Sequence, residues 1–284
     1  AGGRRTRLPR VDDSVDDSVD DSVQVELAII GGGNMGAALL GGLLDSRAFE
    51  ATAIAVVEVV DARRDQLASQ FPGVRVVAEM PPCRGALIAV KPADTPAAAA
   101  AAAGSGGAAR VLSIAAGVRL ATIEAATGPG VAVVRAMPNT PALVRLGACA
   151  ISAGADADRE DVAWARSILE AVGTVDEVDE ELLDAFTGVA GSGPAYVFLV
   201  AEALIAAAVA EGLEPDMAAR VVRQLLLGSA TLLDREGDPT RLREMVTSPN
   251  GTTAAGLAAL AEHDLRGAVG AAVRAATQRS RELG

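Results

Sequence analysis

The feature that most narrows what this chain can fold into is Gly31-Gly32-Gly33-Asn34-Met35-Gly36, set directly between an apolar run and a helical stretch. Val25 to Ile30 reads as a buried strand and Asn34 to Leu44 as a helix, so the glycines occupy a strand-to-helix turn. In that setting Gly31 permits the tight turn, Gly33 lets backbone approach a pyrophosphate, and Gly36 allows close helix-to-strand packing. The free N–H groups and dipole of the helix N-terminus then favour an anionic diphosphate. Gly31, Gly33, Asn34, Met35 and Gly36 are therefore candidate dinucleotide contacts.

The rest of the first half repeats the alternation. Strands are predicted at 53–59, 74–77, 86–90, 111–114, 131–135, 148–152 and 174–178, with helices at 63–70 and 159–171. Such alternation implies a mainly parallel, doubly wound α/β sheet of the Rossmann type over 24–179. From about Glu180 the strands stop. Pro194, Pro215, Pro239, Thr252 and about Asp264 each open a helix, and Gly212 and Gly237 close the first two, giving an all-α region over 180–284. The first of these helices, Ala195 to Ala210, is apolar on nearly every face. That predicts burial on all sides, and hence a homodimer or larger homo-oligomer.

Composition excludes several functions. A formal charge of -12 gives neither nucleic acid nor an anionic membrane a global attraction. Apolar stretches are broken by Gly, charged or polar residues before about 18 residues, so no membrane span is expected. Cys83 and Cys149 are too few for a disulfide framework, as expected of reduced residues in a cytoplasmic protein. His263 is the only histidine, which rules against a metal site and against histidine acid–base chemistry. Residues 1–23 stand apart, because three copies of Val-Asp-Asp-Ser cannot build a core and read as a disordered acidic extension.

Further candidate residues follow predicted strands. Glu58, 22 residues after Gly36, can accept bonds from the adenine ribose hydroxyls and so favours NADH, whereas Arg63 and Arg64 could hold the 2′-phosphate of NADPH. Val90-Lys91-Pro92 and the turn Ala115-Ala116-Gly117 sit at carboxyl ends of strands, where ligands of open α/β sheets bind. The rigid turn Met137-Pro138-Asn139-Thr140-Pro141 presents Asn139 to the same cleft. In the helical half, Gly191-Ser192-Gly193 before Pro194 places backbone N–H groups at a helix start, a carboxylate cradle without a basic residue. Thr252 and Thr253, after Ser248-Pro249-Asn250-Gly251, are candidates for capping and for a substrate nitrogen respectively.

Taken in order, Met-Pro-Asn-Thr-Pro at 137–141, Gly-Ser-Gly-Pro-Ala-Tyr at 191–196 and Ser-Pro-Asn-Gly-Thr-Thr at 248–253 resemble pyrroline-5-carboxylate reductases, over about Val25 to Leu283. The resemblance implies a Rossmann domain, an all-α dimerisation domain, and reduction of 1-pyrroline-5-carboxylate to proline, usually by NADPH. By position it implies that Gly191, Ser192 and Gly193 bind the substrate carboxylate, that Thr253 binds the ring nitrogen, and that the active site lies between subunits. Three departures from the family pattern stand out: Ala190 for a usual Ser, Asn250 for a usual Gly, and His263-Asp264-Leu265 for a usual Gly-Phe. A hydroxyacid dehydrogenase of the 6-phosphogluconate type would carry a lysine on the first long helix, and Ala195 to Gly212 has none. A non-catalytic dinucleotide sensor would not need the turns at 191 and 248.

Overall fold

The structure, a computed structural model, describes residues 24–283; the acidic extension expected at 1–23 lies outside them. Eight strands form one sheet in the order β3-β2-β1-β4-β5-β6-β7-β8. They are β1 (Val25–Ile30), β2 (Ile54–Val57), β3 (Arg75–Val77), β4 (Cys83–Ile88), β5 (Arg110–Ser113), β6 (Ala132–Met137), β7 (Gly147–Ala153) and β8 (Gly173–Glu177). All neighbours pair in parallel except β6 and β7.

Helices cover both faces, as the continuous apolar strands require. Leu27 and Ile29 of β1 face one core, built with α1 (Asn34–Asp45), α2 (Asp61–Gln70) and α5 (Arg159–Glu170). Val25, Ala28 and Ile30 face the other, built with α3 (Thr95–Ala103) and α4 (Leu120–Thr127). Neither α3 nor α4 was anticipated, because α3 is an alanine run with no polar face to give a helical period. Strand β4 begins earlier than its apolar run suggests. Its Arg84-Gly85 lead-in looks unlike a strand, yet Gly85 is needed there: a Cβ would lie 2.7 Å from the Trp164 ring of α5.

The second half is helical throughout: α6 (Leu183–Phe186), a π-helical turn over Thr187–Gly191, α7 (Gly193–Ala210), α8 (Pro215–Glu236), α9 (Pro239–Met245), α10 (Thr252–Glu262) and α11 (Leu265–Leu283). Proline marks the starts of α7, α8 and α9, and glycine the ends of α7 and α8, to within a residue or two. Helix α7 does not find its expected cover within one chain, since none of its residues is buried and Phe198 is 61% exposed. The run Glu180–Ala210 is also long and apolar enough to cross a membrane by length and composition, contrary to the reading that no stretch reaches that size. Glu180, Glu181, Asp184 and Glu202 are the charged residues that interrupt this run.

Charged groups fasten the two halves together. Arg135 of β6 is 3% exposed and donates to Glu180 at 2.8 Å, and Glu180 also accepts the N–H of Leu120 at 2.7 Å. Asp184 is 2% exposed, accepts the hydroxyl of Ser280 at 2.7 Å and faces Arg119 at 3.5 Å. Arg135→Met strands Glu180 beside α4, and at fixed protein concentration should lower unfolding free energy by roughly 2 kcal/mol in a denaturant titration. Burial raises both Cys83 and Cys149 to about 11. Both thiols are therefore protonated at pH 8, and the folded chain should resist iodoacetamide there while the urea-unfolded chain reacts at both.

Candidate active site at the carboxyl edge of the sheet

The order of the sheet reverses between β1 and β4, and the loops after β1, β2, β4, β5 and β6 all emerge at its carboxyl edge. This is the place where open α/β sheets bind ligands. The loops are zipped together, with Gly31 donating to Val57 at 2.8 Å, Ala89 to Ile30 at 2.8 Å and Ile114 to Ile88 at 3.0 Å. Gly31 has φ +104°, and a Cβ there would lie 2.7 Å from the Ala89 carbonyl oxygen. A Cβ on Gly36 would strike the Gly31 carbonyl. These are the tight turn and the close helix packing that the spacing implies.

The residues present fit a dinucleotide diphosphate. Helix α1 carries no acidic residue in its first turn and no side-chain cap, and around Gly33 nothing lies within 4 Å of a Cβ position. Exposed Asn34 and half-buried Met35 begin the helix. Glu58 is gripped by backbone, accepting from Gly32 and from Val60, each at 3.0 Å. Arg63 donates to the Gly32 carbonyl at 2.7 Å, and Arg64 to the Glu58 carbonyl at 2.9 Å and to Asp61 at 2.7 Å. Acid and arginines thus share one small region at the end of β2. Val90 is half-buried, while Lys91 and Pro92 are exposed beside it. Ala115 and Gly117 are buried and Ala116 half-buried; Gly117 has φ +76°, and a Cβ on it would lie 2.9 Å from the side chain of Leu283. The end of α11 therefore backs this turn, a contact that nothing in the sequence announced.

The cradle at 191–193 differs in kind from the loop the sequence suggested. Its backbone is helical, and Ser192 donates to the Thr187 carbonyl at 2.9 Å, closing the π turn. π turns of this kind recur at functional sites. Glycine is needed here for space: a Cβ on Gly188 would crowd Val273 and Thr277 of α11, and one on Gly191 would lie 2.8 Å from Met137 Cε. Around Gly193 nothing lies within 4 Å of a Cβ position, so the start of α7 is open. Because the Ser192 N–H is spent on Thr187, an anion here would meet the Ser192 hydroxyl and the Gly193 end of the turn.

Asn139 lies at the junction. It is 8% exposed, its carboxamide donates to the Ala190 carbonyl at 3.1 Å, and its oxygen accepts from Ala148 at 2.9 Å. One N–H of the amide and its oxygen are thus engaged within the protein. The role of Met137 beneath Gly191 was not anticipated either, since a methionine at a strand end reads simply as core.

Thr252 does not cap α10. The N-cap is Gly251 with no side-chain bond, because Asn250 at φ +60° turns the chain early and Gly251 donates to the Ser248 carbonyl at 3.0 Å. Thr252 is exposed and Thr253 half-buried at the start of the helix. Within one chain α10 packs chiefly on α11. The π turn packs on α6, α7 and α11, so α11 lies behind both turns. His263 is an exposed residue at the end of α10.

Comparisons with known proteins agree with this arrangement. Residues 180–283 match the family model described as pyrroline-5-carboxylate reductase dimerisation, and residues 26–117 match one described as NADP oxidoreductase, coenzyme F420-dependent. The chain is 43% identical to pyrroline-5-carboxylate reductase from Synechocystis over 92% of its length and 98% of the relative's. Against the enzyme of that name from Methanosarcina acetivorans it is 37% identical over 91% of this chain and 98% of the relative's. Among solved structures, pyrroline-5-carboxylate reductase from Coxiella burnetii superimposes with a TM-score of 0.83 at 32% identity, covering 92% of this chain and 99% of that one. Pyrroline carboxylate reductase from Plasmodium falciparum, solved with NADP bound, gives 0.80 at 26% identity, covering 92% and 98%. The bare apolar α7 falls within the span that matches the dimerisation model, in keeping with a homo-oligomer. The chain belongs to the pyrroline-5-carboxylate reductase family.

Proposed function

We infer that this chain reduces 1-pyrroline-5-carboxylate to L-proline with NADPH or NADH, as the last step of proline formation. The observation that carries this reading is an open, uncharged helix start at Ser192–Gly193 lying beside the nucleotide edge of the sheet. A small anionic ring fits such a cradle, because the helix dipole and the Ser192 hydroxyl can hold a carboxylate in a chain of net charge -12. We assign the nucleotide to 24–179 and the substrate and subunit contacts to 180–284.

When bound, the nicotinamide dinucleotide supplies the hydride. Gly31, Gly33, Asn34, Met35 and Gly36 hold its diphosphate, Glu58 faces the adenine ribose, and Val90 to Pro92 with Ala115 to Gly117 line the nicotinamide side. Gly191, Ser192 and Gly193 fix the substrate carboxylate. Thr253, with Thr252 beside it, holds the ring nitrogen from a neighbouring subunit. The protonated imine is already electrophilic, so the residues need to orient it rather than activate it, which suits a site without histidine. A net charge of -12 gives nucleic acid and anionic membranes no global attraction, and the reading places the enzyme in the cytoplasm.

Following loss of NAD(P)H absorbance with 1-pyrroline-5-carboxylate, using each nucleotide in parallel, tests the activity; no turnover with either would end it. Thr253→Val should fold normally and lose at least about tenfold in kcat/KM, roughly 1.4 kcal/mol, with an unchanged ratio removing Thr253 from the site. Phe198→Asp places a charge on the bare face of α7. Light scattering should show wild type at twice the 28.5 kDa chain mass or a multiple of it, and the variant dissociating toward one.

A further inference from the structure

Pro194 creates a local shortage of donors. In a helix the Ala190 carbonyl would accept the N–H four residues on, but that residue is Pro194, which has none. The next donor, the Ala195 N–H, goes instead to Ser192 at 3.0 Å. The Ala190 carbonyl is paired from outside the helix, by the Asn139 carboxamide at 3.1 Å. The orientation of that amide is fixed, because its other end accepts from the Ala148 N–H at 2.9 Å and an oxygen must face that donor.

We propose that Asn139 is a positioning residue for the substrate carboxylate: by holding the Ala190 carbonyl it fixes the Ala190–Gly191 peptide and, through it, the Ser192–Gly193 cradle. A trans peptide is planar, so gripping its C=O sets the direction in which the chain enters Gly191. Met137 Cε, which a Cβ on Gly191 would approach to 2.8 Å, closes the same side. The turn is thus pinned from β6 and β7 in front and from Val273 and Thr277 of α11 behind. Asn139 is thereby reassigned from the cofactor, which it was expected to touch, to the geometry of the imino-acid site. The inference rests on the reaction proposed above.

Asn139→Asp tests it. The variant is nearly isosteric and keeps an acceptor for Ala148, but at neutral pH sets a carboxylate against the Ala190 carbonyl. The expected result is a KM for 1-pyrroline-5-carboxylate raised at least about tenfold. The dissociation constants of NADPH and NADH, measured by calorimetry without substrate, should stay within about twofold of wild type. The protonated acid can donate to Ala190 as the amide does, so the ratio of variant to wild-type KM should fall as pH is lowered through the carboxyl range. A weakened nucleotide with an unchanged KM would overturn the proposal and return Asn139 to the cofactor. An unchanged KM and unchanged nucleotide binding would overturn it too, as would a fall in kcat alone with no pH-dependent recovery. Should the aspartate variant fail to fold, Asn139→Ala carries the same test, with the KM defect present at every pH. Wild type that does not turn over the imino acid at all would instead sink the proposed reaction.

Discussion

Arg135 reaches from β6 to Glu180, and the same carboxylate takes the N–H of Leu120 at the start of α4. Nearby, Asp184 is held between Ser280 and Arg119. In each pair one member, Arg135 or Asp184, is buried, and the pairs seat the first turns of the helical half on the carboxyl edge of the sheet. Moving the more exposed partner away would leave Arg135 or Asp184 as an uncompensated charge in a low dielectric, so such a pair tolerates little displacement. The position of the π turn beside the nucleotide loops follows from that seating. So does the approach of α11, which backs both the turn at 187–191 and the turn at Gly117.

Much of this was legible in the sequence where a residue type has a single physical use. Gly31 and Gly36 predicted a turn and a close packing that the structure reproduces, because no other residue tolerates φ +104° against the Ala89 carbonyl. Pro215 and Gly237 bounded α8 because one lacks an N–H and the other accepts a left-handed angle. Where a residue has several uses, the reading fell short. Gly191 was read only as part of an N–H cradle, but it and Gly188 also serve to admit Met137 and α11. Thr252 was taken for a cap, but Asn250 turns the chain a residue earlier. The alanine run of α3 carries no period to read, and Arg84-Gly85 hid the start of β4 because glycine there is demanded by Trp164, distant in sequence.

The apolar α7 shows the difference between a local pattern and its resolution. Its composition requires cover, and by length alone a bilayer would serve as well as protein. The helices around it do not supply that cover within one chain. The helix lies within the span that matches a pyrroline-5-carboxylate reductase dimerisation domain, and a homo-oligomer supplies a protein surface of the kind its composition requires. This also bears on the site, since α10, which carries Thr253, packs within one chain chiefly against α11.

A crystal structure of the oligomer with NADP and proline bound tests the central claim most directly. The account predicts the proline carboxylate within hydrogen-bond reach of Ser192 and Gly193 at the start of α7, and the ring nitrogen beside the Thr253 hydroxyl of a neighbouring subunit. Proline seated elsewhere, or Thr253 remote from residues 191–193 both within a subunit and across every subunit contact, would contradict it.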